Sequence, residues 1–283
     1  MQVVRSISKI RKLLSPYRRK GKTIGFVPTM GYFHRGHLSL MRKARKECDV
    51  VVVSLFVNPI QFGQGEDLDR YPRDFRRDKL LAEKEGVDFL FAPDAKGMYS
   101  AEFSTFVEVK GLDEVLCGAR RPGHFKGVAT VVAKLFNIVM PDIAYFGQKD
   151  IQQAIILKRM IRDLNFPVKM RIMPIVREKN GLAMSSRNVY LTPNQRREAV
   201  VLFQSLMQGK RLLLAGKRPA YVKSVVKKMI SRTSGRIDYV EIVSLNDLRP
   251  VKRPKGKMIL ALAVWFGKAR LIDNVIINMK GKR

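Results

Sequence analysis

The chain has 283 residues, of which 46% are hydrophobic and 28% charged, a mixture typical of folded globular proteins and unlike that of disordered chains. Its length exceeds that of the usual single domain, so two domains of unequal size are expected. No run of about 18 apolar residues is present and the basic N-terminus has no apolar signal core, which predicts a protein without a membrane segment or secretion signal.

The net charge of +31, from 55 basic and 24 acidic residues, is the unusual feature of the composition. A charge of this size favours a nucleic-acid partner in general. Here the basic residues are spread along the chain: no acidic residue precedes Glu47, and none lies between Glu198 and Asp238. This distribution predicts a generally basic surface, with incidental polyanion binding possible, and it does not assign a function.

The only two cysteines, Cys48 and Cys117, follow no CxxC spacing. They supply neither a zinc quartet nor a disulfide framework. A reducing, cytoplasmic location is the simpler expectation.

Apolar periodicity predicts strands that alternate with helices over the first 175 residues. After a basic, helix-like opening, strands are predicted at residues 22–27, 50–57, 87–92, 105–109 and 143–146, and helices at 37–46, 75–85, 128–139 and in a segment that ends at Leu164. This order is typical of an α/β fold with a Rossmann-like, doubly wound parallel sheet.

The pattern changes beyond Val176. Thr192-Pro193 is a helix start signal, and the helix that it begins could continue to about Leu214. Three β-like runs follow, at residues 236–243, 258–266 and 269–277. We therefore expect a Rossmann-like domain at residues 1–175 and a smaller lid domain, made of helices and an antiparallel sheet, at residues 176–283.

Two of the three histidines, His34 and His37, lie in an HxGH motif between the first predicted strand of the sheet and its helix. Ligands collect at the carboxyl ends of parallel strands, and a helix start offers free N–H groups to phosphates. Gly36 lets a nucleotide approach the main chain. A pair of surface or capping histidines is the alternative, and zinc is disfavoured because no third ligand follows at suitable spacing.

A second polar group, Met184-Ser185-Ser186-Arg187, lies in a loop after Gly181 and before a helix. Hydroxyl groups and a guanidinium can bind phosphate oxygens, and the guanidinium interaction strengthens as pyrophosphate departs. An ordinary serine turn is the alternative.

Six strings, PTMGYFHRGH, VNPIQFG, RYPRDF, RPGHFKGV, YFGQKDIQQ and GLAMSSRNVYL, occur in the order and approximate spacing found in pantothenate synthetases. Each is weak alone, but together they are specific, and looser similarity extends through RIDYVEIVS and RLIDNVII. The chain thus resembles the pantothenate synthetase (pantoate–β-alanine ligase) family of the nucleotidylyltransferase superfamily.

The resemblance implies a set of site residues. Catalytic roles would fall to His34, His37, Lys149 and Arg187, with His37 the usual candidate acid. The ATP-binding residues would be Met30, Gly31, Tyr32, Phe33, His34, Arg35, Gly36, His37, Gly147, Gln148, Lys149, Asp150, Val176, Met184, Ser185, Ser186 and Arg187. The pantoate pocket would use Gln61 and Gln153, with Asn58, Tyr71, Arg121 and His124 at further pocket positions.

The implied reaction joins pantoate to β-alanine through a pantoyl adenylate, with ATP as co-substrate, Mg²⁺ as its counter-ion and a homodimer as the assembly; no metal ligands are predicted. Two other hypotheses stay open at this point. The chain could be a related nucleotidylyltransferase that activates another small acid, or a basic protein that binds nucleic acid on the same scaffold.

Overall fold

The structure is a computed structural model that describes residues 1–279. Its strands are β1 (Gln2–Val4), β2 (Ile24–Thr29), β3 (Val50–Leu55), β4 (Phe89–Phe91), β5 (Ile143–Gly147), β6 (Lys169–Met173), β7 (Arg236–Ser244), β8 (Lys257–Phe266) and β9 (Ala269–Asn278). Its helices are α1 (Ile7–Arg19), α2 (Arg35–Glu47), α3 (Phe75–Lys84), α4 (Ala95–Met98), α5 (Leu116–Arg120), α6 (His124–Val139), α7 (Ile151–Asp163), α8 (Pro193–Glu198), α9 (Val201–Leu214) and α10 (Pro219–Ile230).

The first six strands form one parallel sheet in the order β1-β4-β3-β2-β5-β6. Successive residues of β3 face opposite sides: Val51 and Val53 belong to the apolar cluster around α2, whereas Val50 and Val52 belong to the cluster around α1, α6 and α7. A strand covered on both faces needs a continuous apolar run, and β3 begins with four valines. The predicted doubly wound α/β fold is confirmed.

The last three strands form an antiparallel sheet, β7-β8-β9, on which α9 and α10 pack. Tyr239 and Val243 of β7 and Ile259 of β8 also join the apolar cluster of α6 and α7, so the small sheet shares this core with two helices that cover the large sheet. The predicted lid of helices and antiparallel strands is confirmed, whereas the boundary between residues 175 and 176 stays a prediction.

The predicted strand at residues 105–109 is wrong. The main chain there joins no sheet, and the Val107 N–H donates to the Thr130 hydroxyl of α6, 2.9 Å away. The alternation of apolar and polar residues came from an extended segment that lies along a helix, where a side chain satisfies the main chain.

The single long helix predicted from Thr192 to Leu214 is also wrong. Thr192 and Gln195 form the expected reciprocal cap, but α8 ends at Glu198 and α9 begins at Val201. Between them the Leu202 N–H donates to the carbonyl of Ala199, a tighter i to i+3 turn. Strands β1 and β6 and helix α10 were not predicted.

Strands β2 and β5 are neighbours at the centre of the large sheet. From β2 the chain continues to β3 on one side, and from β5 it continues to β6 on the other side. Such a reversal opens a crevice at the carboxyl ends of the two strands, where ligands bind in open α/β sheets. The HxGH motif follows β2. Gly147 is the last residue of β5, and Gln148, Lys149 and Asp150 come directly after it. Within residues 1–279, no helix has both the length and the apolar character to cross a bilayer.

Candidate functional site

The HxGH segment forms the start of α2, with His34 as the N-cap residue and Arg35, Gly36 and His37 in the first turn. The His34 Nδ1 accepts the N–H of Gly36 at 3.1 Å, and the His37 Nδ1 accepts the N–H of His34 at 3.3 Å. The two imidazole rings stack with centroids 4.1 Å apart. A side chain at Gly36 would have its Cβ 2.8 Å from the His34 ring, so only glycine fits this turn.

These hydrogen bonds fix the tautomer of both rings. Each Nδ1 accepts a hydrogen bond from a main-chain N–H, so the neutral imidazole carries its own proton on Nε2. Burial lowers the pKa of His34 to about 2 and that of His37 to about 4, and in both cases the nearby Lys149 charge adds to the effect. At neutral pH both rings are therefore uncharged N–H donors.

The loop after β5 is held by a residue of the small sheet. The buried Asn274 of β9 donates to the carbonyl oxygens of Gln148 and Lys149 at 2.9 and 3.0 Å. Its own carbonyl oxygen accepts from the Gln148 amide at 3.2 Å. Asn274 therefore sets the direction of the segment that carries Lys149, and this role was not predicted from the sequence.

The lid loop, residues 184–187, reaches the HxGH turn from the opposite side. The Met184 N–H donates to the Val176 carbonyl at 3.0 Å, which places Val176 beside the loop through its main chain. The Ser186 hydroxyl donates to the Tyr32 carbonyl at 3.3 Å, and the Ser185 hydroxyl accepts the N–H of Arg187 at 3.3 Å. The two predicted phosphate elements thus meet directly.

Arg187 is already paired with a carboxylate. Its guanidinium makes two hydrogen bonds of 2.8 Å to Asp67, and it lies over the ring of Tyr71 at 5.6 Å. Glu66, the preceding residue, binds Arg121 in the same two-pronged manner, with one hydrogen bond of 2.7 Å. Neither acidic residue was identified from the sequence.

The predicted pantoate residues are connected by hydrogen bonds around Gln61. Asn58 donates to the Gln61 Oε1 at 3.1 Å, which orients the Gln61 amide so that its Nε2 faces the Met30 sulfur at 3.0 Å. His124 Nδ1 lies 2.8 Å from the Gln61 carbonyl oxygen, and its Nε2 lies 2.9 Å from Arg121. Burial, followed by the charge of Arg121, lowers the pKa of His124 to about 4.

Helix α6 approaches this segment very closely. A Cβ built at Gly127 would lie 2.6 Å from the Gln61 Cα and would overlap the Ile60 carbonyl oxygen. The Gly127 carbonyl in turn accepts the Asn58 amide at 3.1 Å. Glycine at this point lets α6 pack directly on the segment that carries Gln61, and the next turns of the helix line the smaller cavity with Val128, Val131 and Val132.

Two adjoining cavities contain most of the predicted residues. The smaller, about 210 Å³, is lined by these predicted residues: Met30, His34, Gly36, His37, Asn58, Gln61, Tyr71, Val176, Met184 and Ser186. The larger, about 430 Å³, is lined by Arg121 and His124. Both are lined by Lys149, Asp150, Gln153, Ser185 and Arg187, and Gly147 lines the smaller one.

Five predicted residues do not line either cavity: Gly31, Tyr32, Phe33, Arg35 and Gln148. Phe33 is fully buried in the core beside α2, and Arg35 is exposed. Gly31 has a φ of +83°, a conformation that favours glycine. Residues 31–33 and Arg35 therefore contribute to the turn from outside the cavities, and Gln148 is instead bound to Asn274.

No cluster of three or more His, Cys, Asp or Glu side chains that could hold a metal ion exists among residues 1–279. Among the described residues, Asp150 is the one acidic side chain that lines both cavities, and its Oδ2 lies 3.9 Å from the Lys149 Nζ. Such a donor set fits an ion that is bound mainly by phosphate oxygens, as Mg²⁺ commonly is.

A doubly wound parallel sheet with this turn at its carboxyl edge belongs to the Rossmann-type nucleotide-binding class of α/β proteins. The model of the pantoate-beta-alanine ligase family matches residues 2–276. The chain is 54% identical to pantothenate synthetase of Moorella thermoacetica, over 99% of both chains, and 57% identical to that of Thermotoga neapolitana, over 98% of this chain and 100% of the other. It belongs to the pantoate–β-alanine ligase family.

Solved structures agree with this assignment. The crystal structure of pantothenate synthetase from Thermus thermophilus superposes with a TM-score of 0.93 at 46% identity, covering 97% of this chain and 99% of that one. Pantoate-beta-alanine ligase from Francisella tularensis, in complex with beta-gamma ATP and beta-alanine, superposes with a TM-score of 0.82 at 32% identity, covering 98% and 97%.

Proposed function

We propose that this protein condenses pantoate with β-alanine at the expense of ATP, through a pantoyl adenylate, and releases AMP and pyrophosphate. The observation that carries the proposal is the convergence of His34, His37, Lys149 and Arg187 on the cavity that also contains Gln61 and Gln153. Phosphate ligands and an uncharged amide pair thus share one enclosed space.

ATP is assigned to the cleft between the HxGH turn, the Lys149 loop and the lid loop. The Nε2–H groups of His34 and His37 would donate to phosphate oxygens without the desolvation cost of a buried charge. Lys149 and Arg187 would supply the positive charge that offsets the developing negative charge as the α-phosphorus is attacked. Val176 and Met184 lie where the base would contact main chain, and Asp150 is the candidate for the ribose.

Pantoate is assigned to the inner part of the smaller cavity. The Gln61 Nε2 faces only the Met30 thioether, a weak acceptor, so this donor can bind a carboxylate or hydroxyl oxygen instead. Val131, Val132 and Leu135 of α6 line the same cavity and would contact the two methyl groups of pantoate. Gln153 lies at the junction of the two cavities, and Asn58 and Tyr71 complete the pocket.

In the first step a pantoate carboxylate oxygen attacks the α-phosphorus, and the bond from this phosphorus to the bridging oxygen of pyrophosphate breaks. In the second step the neutral amine of β-alanine attacks the carbonyl carbon, AMP leaves with the bonding electrons, and the amine loses a proton to give the amide. The protein mainly positions the reactants and shields the mixed anhydride from water. Arg121 and His124 line the adjoining cavity and support the Gln61 main chain.

Mg²⁺, bound mainly by phosphate oxygens, would neutralise phosphate charge during the first step. A homodimer and a cytoplasmic location are further proposals that rest on the family alone, and sedimentation velocity tests the first. Binding of nucleic acid through the general basic charge would be incidental to this activity.

The decisive experiment is pantoate-dependent exchange of labelled pyrophosphate into ATP, followed by AMP release when β-alanine is added. We expect exchange with pantoate alone and amide formation only with both substrates. Formation of ADP without exchange would refute the adenylate mechanism. Competition by other hydroxy acids for exchange separates a pantoate enzyme from a relative that activates another acid.

Tight, salt-sensitive RNA binding without any exchange would instead favour a polyanion-binding protein.

A further inference from the structure

The turn before His34 has an unusual main-chain conformation. Gly31 has a φ of +83° and Tyr32 a φ of +51°. A residue with a side chain occupies this left-handed region only where its surroundings hold it. The groups that hold Tyr32 therefore determine how the following histidine is presented.

Asp78 of α3 holds the turn from the side opposite the cavities. One carboxylate oxygen accepts the N–H of Tyr32 and the other accepts the N–H of Phe33, each at 2.6 Å. The side chain is 1% exposed, so no water competes for these bonds. Burial raises the pKa of Asp78, and the two N–H bonds oppose that rise, as expected for a carboxylate kept in place by main-chain donors.

Arg77 completes the contact from the neighbouring position of the same helix. Its guanidinium donates to the Phe33 carbonyl at 2.9 Å and lies 5.2 Å from the centroid of the Tyr32 ring. The N–H and the carbonyl of Phe33 are thus both bound by side chains, which lie 45 and 44 residues away in sequence.

The held segment joins directly to groups of the candidate site. The next residue is His34, and the Tyr32 carbonyl accepts the Ser186 hydroxyl of the lid loop. Asp78 and Arg77 themselves line neither cavity, so they can act on a ligand only through the turn. We propose that Asp78 and Arg77 are positioning residues that hold residues 31–33 in the one conformation able to present His34 and His37 to nucleotide phosphates.

This inference rests on the proposed function, because ATP is the ligand whose phosphates this turn would bind. Asp78 and Arg77 together form a clamp on this turn. Without the clamp, only a fraction of molecules would have a binding-competent turn at any moment, and the apparent affinity for ATP would fall by that fraction. Saturating ATP would restore the competent turn. The expected signature is a raised KM for ATP with kcat nearly unchanged.

The test compares Asp78→Asn with Asp88→Asn as a matched control. Asp88 also accepts a main-chain N–H, that of Val51 at 2.7 Å, but it lies at the amino ends of the strands, away from the site. We expect D78N to raise KM for ATP about tenfold in pyrophosphate exchange, with kcat within about threefold of the wild type, and to speed amide hydrogen exchange in residues 29–37. D88N should lower Tm but leave KM for ATP within about twofold.

Arg77→Ala provides a second variant that keeps the buried carboxylate, with an expected rise in KM for ATP of about threefold. Wild-type KM and wild-type amide exchange in D78N, or a fall in kcat at constant KM, would overturn the assignment. If D78N does not fold, an unchanged KM in R77A would do so. Absence of exchange in the wild-type enzyme would count against the proposed function alone, since calorimetric ATP binding to the wild type and to D78N would still test the clamp.

Discussion

The two halves of the candidate site are fixed by different kinds of interaction. On the sheet side, Asp78 accepts main-chain N–H groups of the turn before His34, and Asn274 donates to main-chain carbonyl oxygens of the Lys149 loop. On the lid side, Arg187 is held by an ion pair to Asp67, whose carboxylate a phosphate group could replace. The sheet half is therefore held by buried partners, whereas in the lid half a phosphate would have to displace Asp67 from Arg187.

The largest effect is expected from loss of the positive charge that the sheet side contributes to the site. Replacing Lys149 with alanine removes the ammonium that faces both cavities, and we expect the exchange rate to fall by about 10²–10³. Steady-state exchange with saturating ATP and pantoate measures this loss. Lys158→Ala, on an exposed position of α7, is the control and should retain wild-type activity. A loss of less than about tenfold in K149A would exclude Lys149 from this electrostatic role.

Removal of the main-chain support should have an intermediate effect. Asn274→Ala leaves the carbonyl oxygens of Gln148 and Lys149 without their donor, which should cost about 1–3 kcal/mol of stability and lower kcat/KM for ATP about tenfold. Urea denaturation and exchange kinetics measure the two quantities. If stability falls but kcat/KM does not, the Lys149 loop is positioned by other contacts.

A smaller effect, of opposite sign, is expected on the lid side. Asp67→Asn removes the charge that competes with phosphate for Arg187, so pyrophosphate should inhibit about three- to tenfold more strongly. The inhibition constant of pyrophosphate against ATP measures this change. Glu66→Gln is the matched control, because it weakens the pairing of Arg121 instead and should leave the constant unchanged. Weaker inhibition in D67N would mean that Asp67 orients Arg187 more than it competes for it.

The histidines should show no charge change near neutral pH. The chain has three histidines, and the pKa values of His34, His37 and His124 are lowered to about 2, 4 and 4. Nitrogen NMR of the rings should therefore show no titration between pH 8 and about 5.5, with Nε2–H tautomers at His34 and His37 and the Nδ1–H tautomer at His124. A ring that titrates near pH 6.5 would contradict the conclusion that these histidines are neutral in the folded protein.

The same shifts predict how stability responds to acid. In the unfolded chain each histidine takes up a proton near pH 6.5, whereas in the folded protein it stays neutral until a lower pH. Stability is therefore unaffected above about 6.5 and falls as pH decreases below it, by at most about 1.4 kcal/mol per pH unit for each histidine. Thermal unfolding between pH 7.5 and 5 checks the sign.

What could be predicted from the sequence was mainly local. A strand, a short HxGH loop and a helix are adjacent in the chain, so the position of His34 and His37 follows from the order of these elements. The Ser185-Ser186-Arg187 loop could be predicted by the same reasoning. Gln61 and Gln153 were assigned through the family resemblance, because nothing in their own surroundings distinguishes them from ordinary glutamines.

The residues that hold the site in place could not be found in this way. Asp78 lies 45 or 46 residues from its partners, Asp67 lies 120 from Arg187, and Asn274 lies 125 or 126 from its own. Asp273-Asn274 inside an apolar run of β9 was the one visible signal, since polar side chains in a buried strand need partners. Which partners these side chains meet depends on how distant segments of the chain pack in the folded protein.

The close approach of α6 to the segment around Gln61 also limits which acids can react. At Gly127 the contact between α6 and this segment is main chain against main chain, so no change of side chain can bring the two closer or loosen their contact. With the position of α6 fixed in this way, the side chains that it places in the smaller cavity, Val131, Val132 and Leu135, set the size of acid that fits. Redesign for larger acids should therefore begin at these three positions and leave Gly127 unchanged.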